Sequence, residues 1–71
     1  MTKLVDARGF SCPQPVIMAH KAIQEGQFPF DLLVETVTSR DNVCRMAEKT
    51  GCTVSVAAVA DDEFKLTITR P

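Results

Sequence analysis

The sequence predicts an α+β fold: a two-layer α/β sandwich in the order β-α-β-α-β-β, with a four-stranded mixed sheet and two helices on one face. Three observations predict it. Two stretches repeat apolar residues at helical spacing, and each is closed by a glycine, Gly26 and Gly51. A short apolar run precedes each of them, "KLVDA" and "DLLVE". The last third alternates with period two on both sides of an acidic turn, "DDE", as an antiparallel hairpin does.

The first strand runs from Lys3 to Ala7, and the turn signal "RGFS" follows it. From Pro13 to about Glu25 the pattern is helical. Val16, Ala19 and Ile23 form its apolar stripe, with Lys21, Gln24 and Glu25 on the far side. "GQFPF" is a loop whose two phenylalanines cover the end of the core. Asp31 to Glu35 is the second strand. Thr36 or Thr38 caps a second helix that runs to about Thr50, with Val43, Ala47 and Thr50 on its inner side. In the third strand Cys52, Val54, Val56 and Ala58 share one face, opposite Thr53, Ser55, Ala57 and Val59. In the fourth, Phe64, Leu66 and Ile68 oppose Lys65, Thr67 and Thr69. Strands that flank a helix run parallel through right-handed crossovers, and the Thr/Ser/Lys faces are the solvated side.

Length and composition bound the function. Seventy-one residues make one small domain, 1–71, with 45% hydrophobic and 24% charged residues, as a globular chain has. Net charge is −1, no run of Lys or Arg is present, and there is no Trp or Tyr on which bases could stack. Direct nucleic-acid binding is therefore not expected. The apolar stretches are too short for a membrane span and the N-terminus lacks the apolar core of a signal peptide, so the expected compartment is the cytoplasm. Three cysteines without a Cys-x-x-Cys pair argue for reduced thiols rather than a disulfide framework.

One of these thiols has unusual neighbours. In "GFSCPQP", Cys12 stands directly before Pro13, with Pro15 two residues on. Pro13 suits the first helical position, because its fixed φ fits the helix and its missing N–H would be unpaired anyway. That assigns Cys12 to the cap, with its sulfur at the positive end of the helix dipole, Gln14 N–H the main donor in reach and Pro15 at the third helical position. A helix terminus is worth roughly 0.3–1 kcal/mol to an anion. The thiolate share of an ordinary thiol at neutral pH then rises from about 3% to at most about 14%. Arg8, across the turn, adds to this if its side chain folds over the sulfur. The activation is modest.

The remaining chemistry-bearing residues fit no partner for this thiol. Pro15 occupies the place of the second cysteine of a dithiol motif. Cys52 has core parity and Cys44 flanks the second helix stripe, so both read as packing residues. His20 is eight residues on, about 12 Å along one helix, and is a boundary residue rather than a base for Cys12. Cys12, His20, Cys44 and Cys52 contain no metal-ligand spacing, so no metal is expected. A thiol without base, triad or resolving partner suits loading and unloading by other proteins. Ile17 and Met18 lie off the Val16–Ala19–Ile23 stripe and near Cys12, and with Lys21 are the candidate partner-binding residues.

"DARGFSCPQPVIMAHKAI" resembles the signature of the TusA/SirA-like sulfur-carrier proteins, Cys-Pro-x-Pro in an Asp-x-x-Gly-x-x-Cys-Pro-x-Pro frame. Asp6, Gly9, Cys12, Pro13 and Pro15 match it, and Val16 and Lys21 fit the helix that follows. The family shares the β-α-β-α-β-β order, so the likeness covers nearly the whole chain. The resemblance implies that Cys12 receives sulfane sulfur as a persulfide from a cysteine desulfurase or rhodanese-like donor and hands it to an acceptor protein. The destinations it implies are tRNA thiolation, sulfur oxidation or cofactor assembly. It implies a sulfurtransferase-type carrier without a cofactor, rather than a stand-alone turnover enzyme, whose thiol is presented by Asp6, Arg8, Gly9, Pro13, Gln14 and Pro15.

"SRDNVCRMAEKTGCTVSV" is similar to the N-terminal domain of YedF-type proteins, linked to selenium metabolism, in which a further domain follows. Glu35 stands where many relatives have Asp. Two other readings stay open. One is a protein-interaction or regulatory domain with a structural or redox-sensing Cys12. The other follows from the element order, which also resembles the RNA-facing C-terminal domain of translation initiation factor three. The charge of −1 and the missing aromatic platform count against it. Oligomeric state is undetermined, with an unpaired edge strand leaving a dimer open.

Overall fold

In the computed structural model, which describes residues 3–10, 13–26 and 28–70, six elements follow one another. They are β1 (Lys3–Asp6), α1 (Gln14–Glu25), β2 (Phe30–Val34), α2 (Val37–Lys49), β3 (Thr53–Ala60) and β4 (Glu63–Thr69). The strands form one mixed sheet in the order β1-β2-β4-β3. β1 and β2 are parallel, with Val5 opposite Leu32. β4 runs antiparallel to both of its neighbours, Leu66 facing Leu32 on one side and Val56 on the other. This is the expected architecture. It puts the C-terminal ends of β1, β2 and β3 at one end of the sheet, together with the starts of both helices.

The core lies between the sheet and the two helices. Phe30, Leu32 and Val34 of β2 and Leu66 and Ile68 of β4 are fully buried, because their strands are central and their alternate residues all face the helices. Ala19, Ala22 and Ile23 of α1 and Val43 and Ala47 of α2 close over them. Both helices end where a left-handed glycine follows: Gly26 at φ 72 and Gly51 at φ 88. Their N–H groups bond back to the carbonyls of Ile23 (3.0 Å) and Glu48 (3.1 Å), which satisfies two otherwise orphaned acceptors.

Some boundaries and burials differ from the sequence expectation. Phe30 opens β2 instead of closing a loop, and it is a core residue; Phe28, half-buried, keeps its ring 5.8 Å from that of Phe30. Thr50 is exposed rather than part of the inner stripe, its hydroxyl donating to the Ala47 carbonyl at 2.8 Å. The buried polar residue of α2 is Ser39. On β3, Cys52 just before the strand is buried and Val54 is half-buried, but Val56 is 47% exposed and Ala58 is exposed. Their alternation is regular. The strand is simply at the sheet edge, where the helix layer covers only its beginning.

Candidate functional site

The segment that carries the cysteine motif begins at the end of β1. Ala7 is buried, and its N–H donates to the Leu33 carbonyl at 2.9 Å, which holds the chain against β2 just beyond the strand. Asp6 then turns the backbone: its Oδ1 accepts from the Arg8 N–H at 3.0 Å, an Asp-turn contact. The same carboxylate takes the Arg8 guanidinium as a fork, Nε to Oδ1 at 2.9 Å and Nη2 to Oδ2 at 2.8 Å. Arg8 Nη1 reaches Glu63 Oε1 at 3.2 Å, across the sheet at the start of β4. Gly9 follows with φ 85, a backbone state that side chains resist. Among the described residues, its chain neighbours apart, no atom lies within 4 Å of where a Cβ would stand, so the demand for glycine there is conformational.

This clasp fixes the charges. Hydrogen bonds from the Arg8 side chain, and then from its backbone N–H, bring the Asp6 carboxyl down to about 2. Asp6, and next Glu63, push the guanidinium above its ordinary range. Neither group has a proton to exchange near neutral pH. Arg8, expected to add positive field if it folded over the sulfur, has its donors committed to two carboxylates whose charges outweigh its own. Glu63 carries no motif signal. It is legible as a partner for Arg8 only when the strand order sets β4 beside β2.

Beyond Gly9, Phe10 is 51% exposed, with its N–H on the Ala7 carbonyl at 3.4 Å. Ser11 and Cys12 lie outside the described residues, and so does the expectation that the Cys12 sulfur sits at the helix cap. The helix start itself is shifted. Pro13, at φ −95 and ψ 16, is the cap residue, and its carbonyl accepts the first helical bond from Ile17 N–H at 3.1 Å. Gln14 is therefore the first helical residue and Pro15 the second, each one position earlier in the helix than expected. Among the described residues no side chain caps this helix. Pro15 is fully buried, so it anchors the first turn to the core as well as lacking an N–H, while Gln14 is exposed.

Of the candidate partner-binding residues, Ile17 is 53% exposed on α1, Met18 is half-buried against the core, and Lys21 is exposed. Met18 and Lys21 line a cleft of ≈ 370 Å³ between α1 and the outer edge of β1. A second cleft, of ≈ 550 Å³, lies between the start of α2 and the β3–β4 turn, lined by Glu35, Thr36, Val37, Asp61, Asp62 and Glu63.

The other thiols and the histidine stand elsewhere. Cys52 is buried behind the Thr50 hydroxyl, 3.7 Å from its Sγ. Cys44 is half-buried on α2, where burial, and then the Glu48 and Asp41 carboxylates, push its thiol up and hold it protonated. His20 is exposed on α1. Among the described residues no group of three or more His, Cys, Asp or Glu could hold a metal ion, and no helix is long and apolar enough to cross a membrane.

Comparison with known proteins points one way. The family model described as Sulfurtransferase TusA matches residues 3–70. The crystal structure of the SirA-like protein from Desulfitobacterium hafniense has the same fold, with a TM-score of 0.86 and 32% sequence identity over 96% of each chain. No curated protein sequence matches.

Proposed function

The chain belongs to the TusA sulfurtransferase family, and from that premise we propose that it relays sulfur between two proteins as a persulfide on Cys12. Membership carries the sulfur-relay role. The observation that supports Cys12 as the carrier is its place in the sequence, between the segment clasped by Asp6, Arg8 and Glu63 and the first turn of α1, which Pro15 anchors in the core. Cys52 is withdrawn by burial, and Cys44, half-buried, has its thiol pushed up by burial and then by the Glu48 and Asp41 carboxylates.

The reaction balances without an outside oxidant. The Cys12 thiolate attacks the outer sulfur of a persulfide on the donor protein, a cysteine desulfurase or a rhodanese-like enzyme. An S–S bond forms at Cys12 as the donor's S–S bond breaks, and the donor leaves as a thiolate. A nucleophile on the acceptor protein then takes the outer sulfur, and Cys12 leaves as thiolate. The described residues contribute position: the clasp and the prolines hold the segment on either side of the thiol. Proton transfer is left to the partners. The relay is assigned to the cytoplasm, where thiols stay reduced.

Intact mass tests this reading. After incubation with a cysteine desulfurase and cysteine, the protein gains one sulfur atom that a reductant removes, and Cys12→Ser gains none. Absence of the adduct with desulfurase and rhodanese donors alike refutes the carrier assignment.

A further inference from the structure

Among the described residues two strands of the sheet have an open edge, and one of them, β1, borders a groove. β1 is the outer strand on the α1 side, so one row of its backbone N–H and C=O groups has no partner strand. Alongside it α1 overhangs a cleft of ≈ 370 Å³. Leu4, Val5, Met18 and Ala22 give the cleft its apolar lining, and Lys3, Lys21 and Glu25 rim it. Glu25 is bonded to Lys3 at 2.6 Å, which leaves Lys21 as the excess positive charge. At the opposite edge the register of β3 breaks between Ala58 and Ala60.

We propose that the β1–α1 groove docks an extended, acidic-apolar segment of the sulfur partner, which adds to β1 as a fifth strand. This rests on the carrier reading only for the partner's identity. Backbone bonds to the β1 edge supply register, and every second side chain of the segment points under α1 against Val5, Met18 and Ala22. Met18 suits that task, because an unbranched thioether repacks around different side chains. An acidic residue of the segment meets Lys21. A second copy of this chain fits the same edge poorly. Paired strands lie about 4.8 Å apart, whereas two helices standing over them need about 8–10 Å.

The position also serves transfer. β1 leads directly into the clasped segment, and Cys12 follows Asp6 by six positions, a reach of at most about 22 Å. A partner tethered along β1 keeps its reactive group at high effective concentration within the reach of that segment.

The test uses the full Cys12→Ser chain, labelled with 15N, and the peptide acetyl-Val-Thr-Val-Thr-Asp-Thr as probe, at up to about 1 mM, in which the valines and the Asp share one face of the strand. Amide shifts are expected in residues 3–6 and 18–25. Lys21→Glu is expected to weaken the peptide about fivefold, the scale of one exposed charge pair, and to favour the analogue with Lys in place of Asp. Shifts centred on residues 53–60, no shifts, or equal effects of Lys21→Glu on both peptides overturn the proposal. Shifts in residues 3–6 that follow protein concentration without peptide make the occupant a second copy and overturn it too. Because no sulfur can be loaded on this variant, the result is independent of the carrier assignment. In the wild-type chain the bound peptide is expected to slow sulfur loading or unloading. Unchanged rates with the peptide bound overturn the assignment of the groove to the sulfur partner.

Discussion

The two helices of this protein start in the same architectural setting and solve it differently. Each follows a strand of the parallel pair and enters at the same end of the sheet. α2 is closed by its own sequence: Thr36, extended at φ −121 and ψ 155, accepts the Ser39 N–H at 3.0 Å through its hydroxyl. Among the described residues α1 has no side-chain cap, and two of its first three positions from the cap are prolines without an N–H. It is held from outside instead, by the buried ring of Pro15 and by the Asp6–Arg8–Glu63 clasp upstream. A self-sufficient start needs no neighbours. One that borrows its order from a loop and a core is held on both sides of the sequence position that the proposed relay assigns to the carrier thiol.

If that contrast is right, removing each device has a different size. Pro15→Gly loses the buried ring, the fixed φ and helix propensity together, and is expected to cost about 2–3 kcal/mol in urea unfolding. Thr36→Ala removes one cap bond and is expected to cost about 1 kcal/mol, with Thr36→Ser close to neutral. Sulfur loading of Cys12 separates the two further: Pro15→Gly slows it, whereas Thr36→Ala leaves its rate unchanged. A Pro15→Gly loss smaller than that of Thr36→Ala would break the comparison.

Much of this contrast was legible before the structure. Periodicity and the two terminal glycines placed every element, and Thr36 was one of two candidate caps for α2. Two features escaped. Pro13 fits both the cap and the first helical position by composition, and only its backbone angles, φ −95 and ψ 16, outside the helical range, decide between them. Arg8 read as a cation available to the thiol because its partners are set by folding: Glu63 is 55 residues away and meets it through strand order alone. The exposure of Val56 has the same origin, since alternation says which face a residue takes but not how far the opposite layer extends.

The smallest effect gives the sharpest test, because it separates the two starts by pH. The Asp6 carboxyl lies near 2 in the folded chain, below its value of about 3.9 when unfolded. A lowered folded value means that the clasp contributes its full stability above about pH 4 and loses it as pH falls through about 2. The Thr36 hydroxyl does not titrate, so α2 is insensitive to the same change. Asp6→Asn is therefore expected to lie below the wild-type chain in stability at neutral pH, with the difference closing between about pH 4 and 2 and shrinking in high salt, since the pair is half-exposed. Thr36→Ala keeps a constant offset over that range. The direct measurement is the carboxyl-carbon NMR titration of Asp6. A midpoint near 3.9 would mean that the fork to Arg8 does not hold in solution, and the start of α1 would then rest on Pro15 alone.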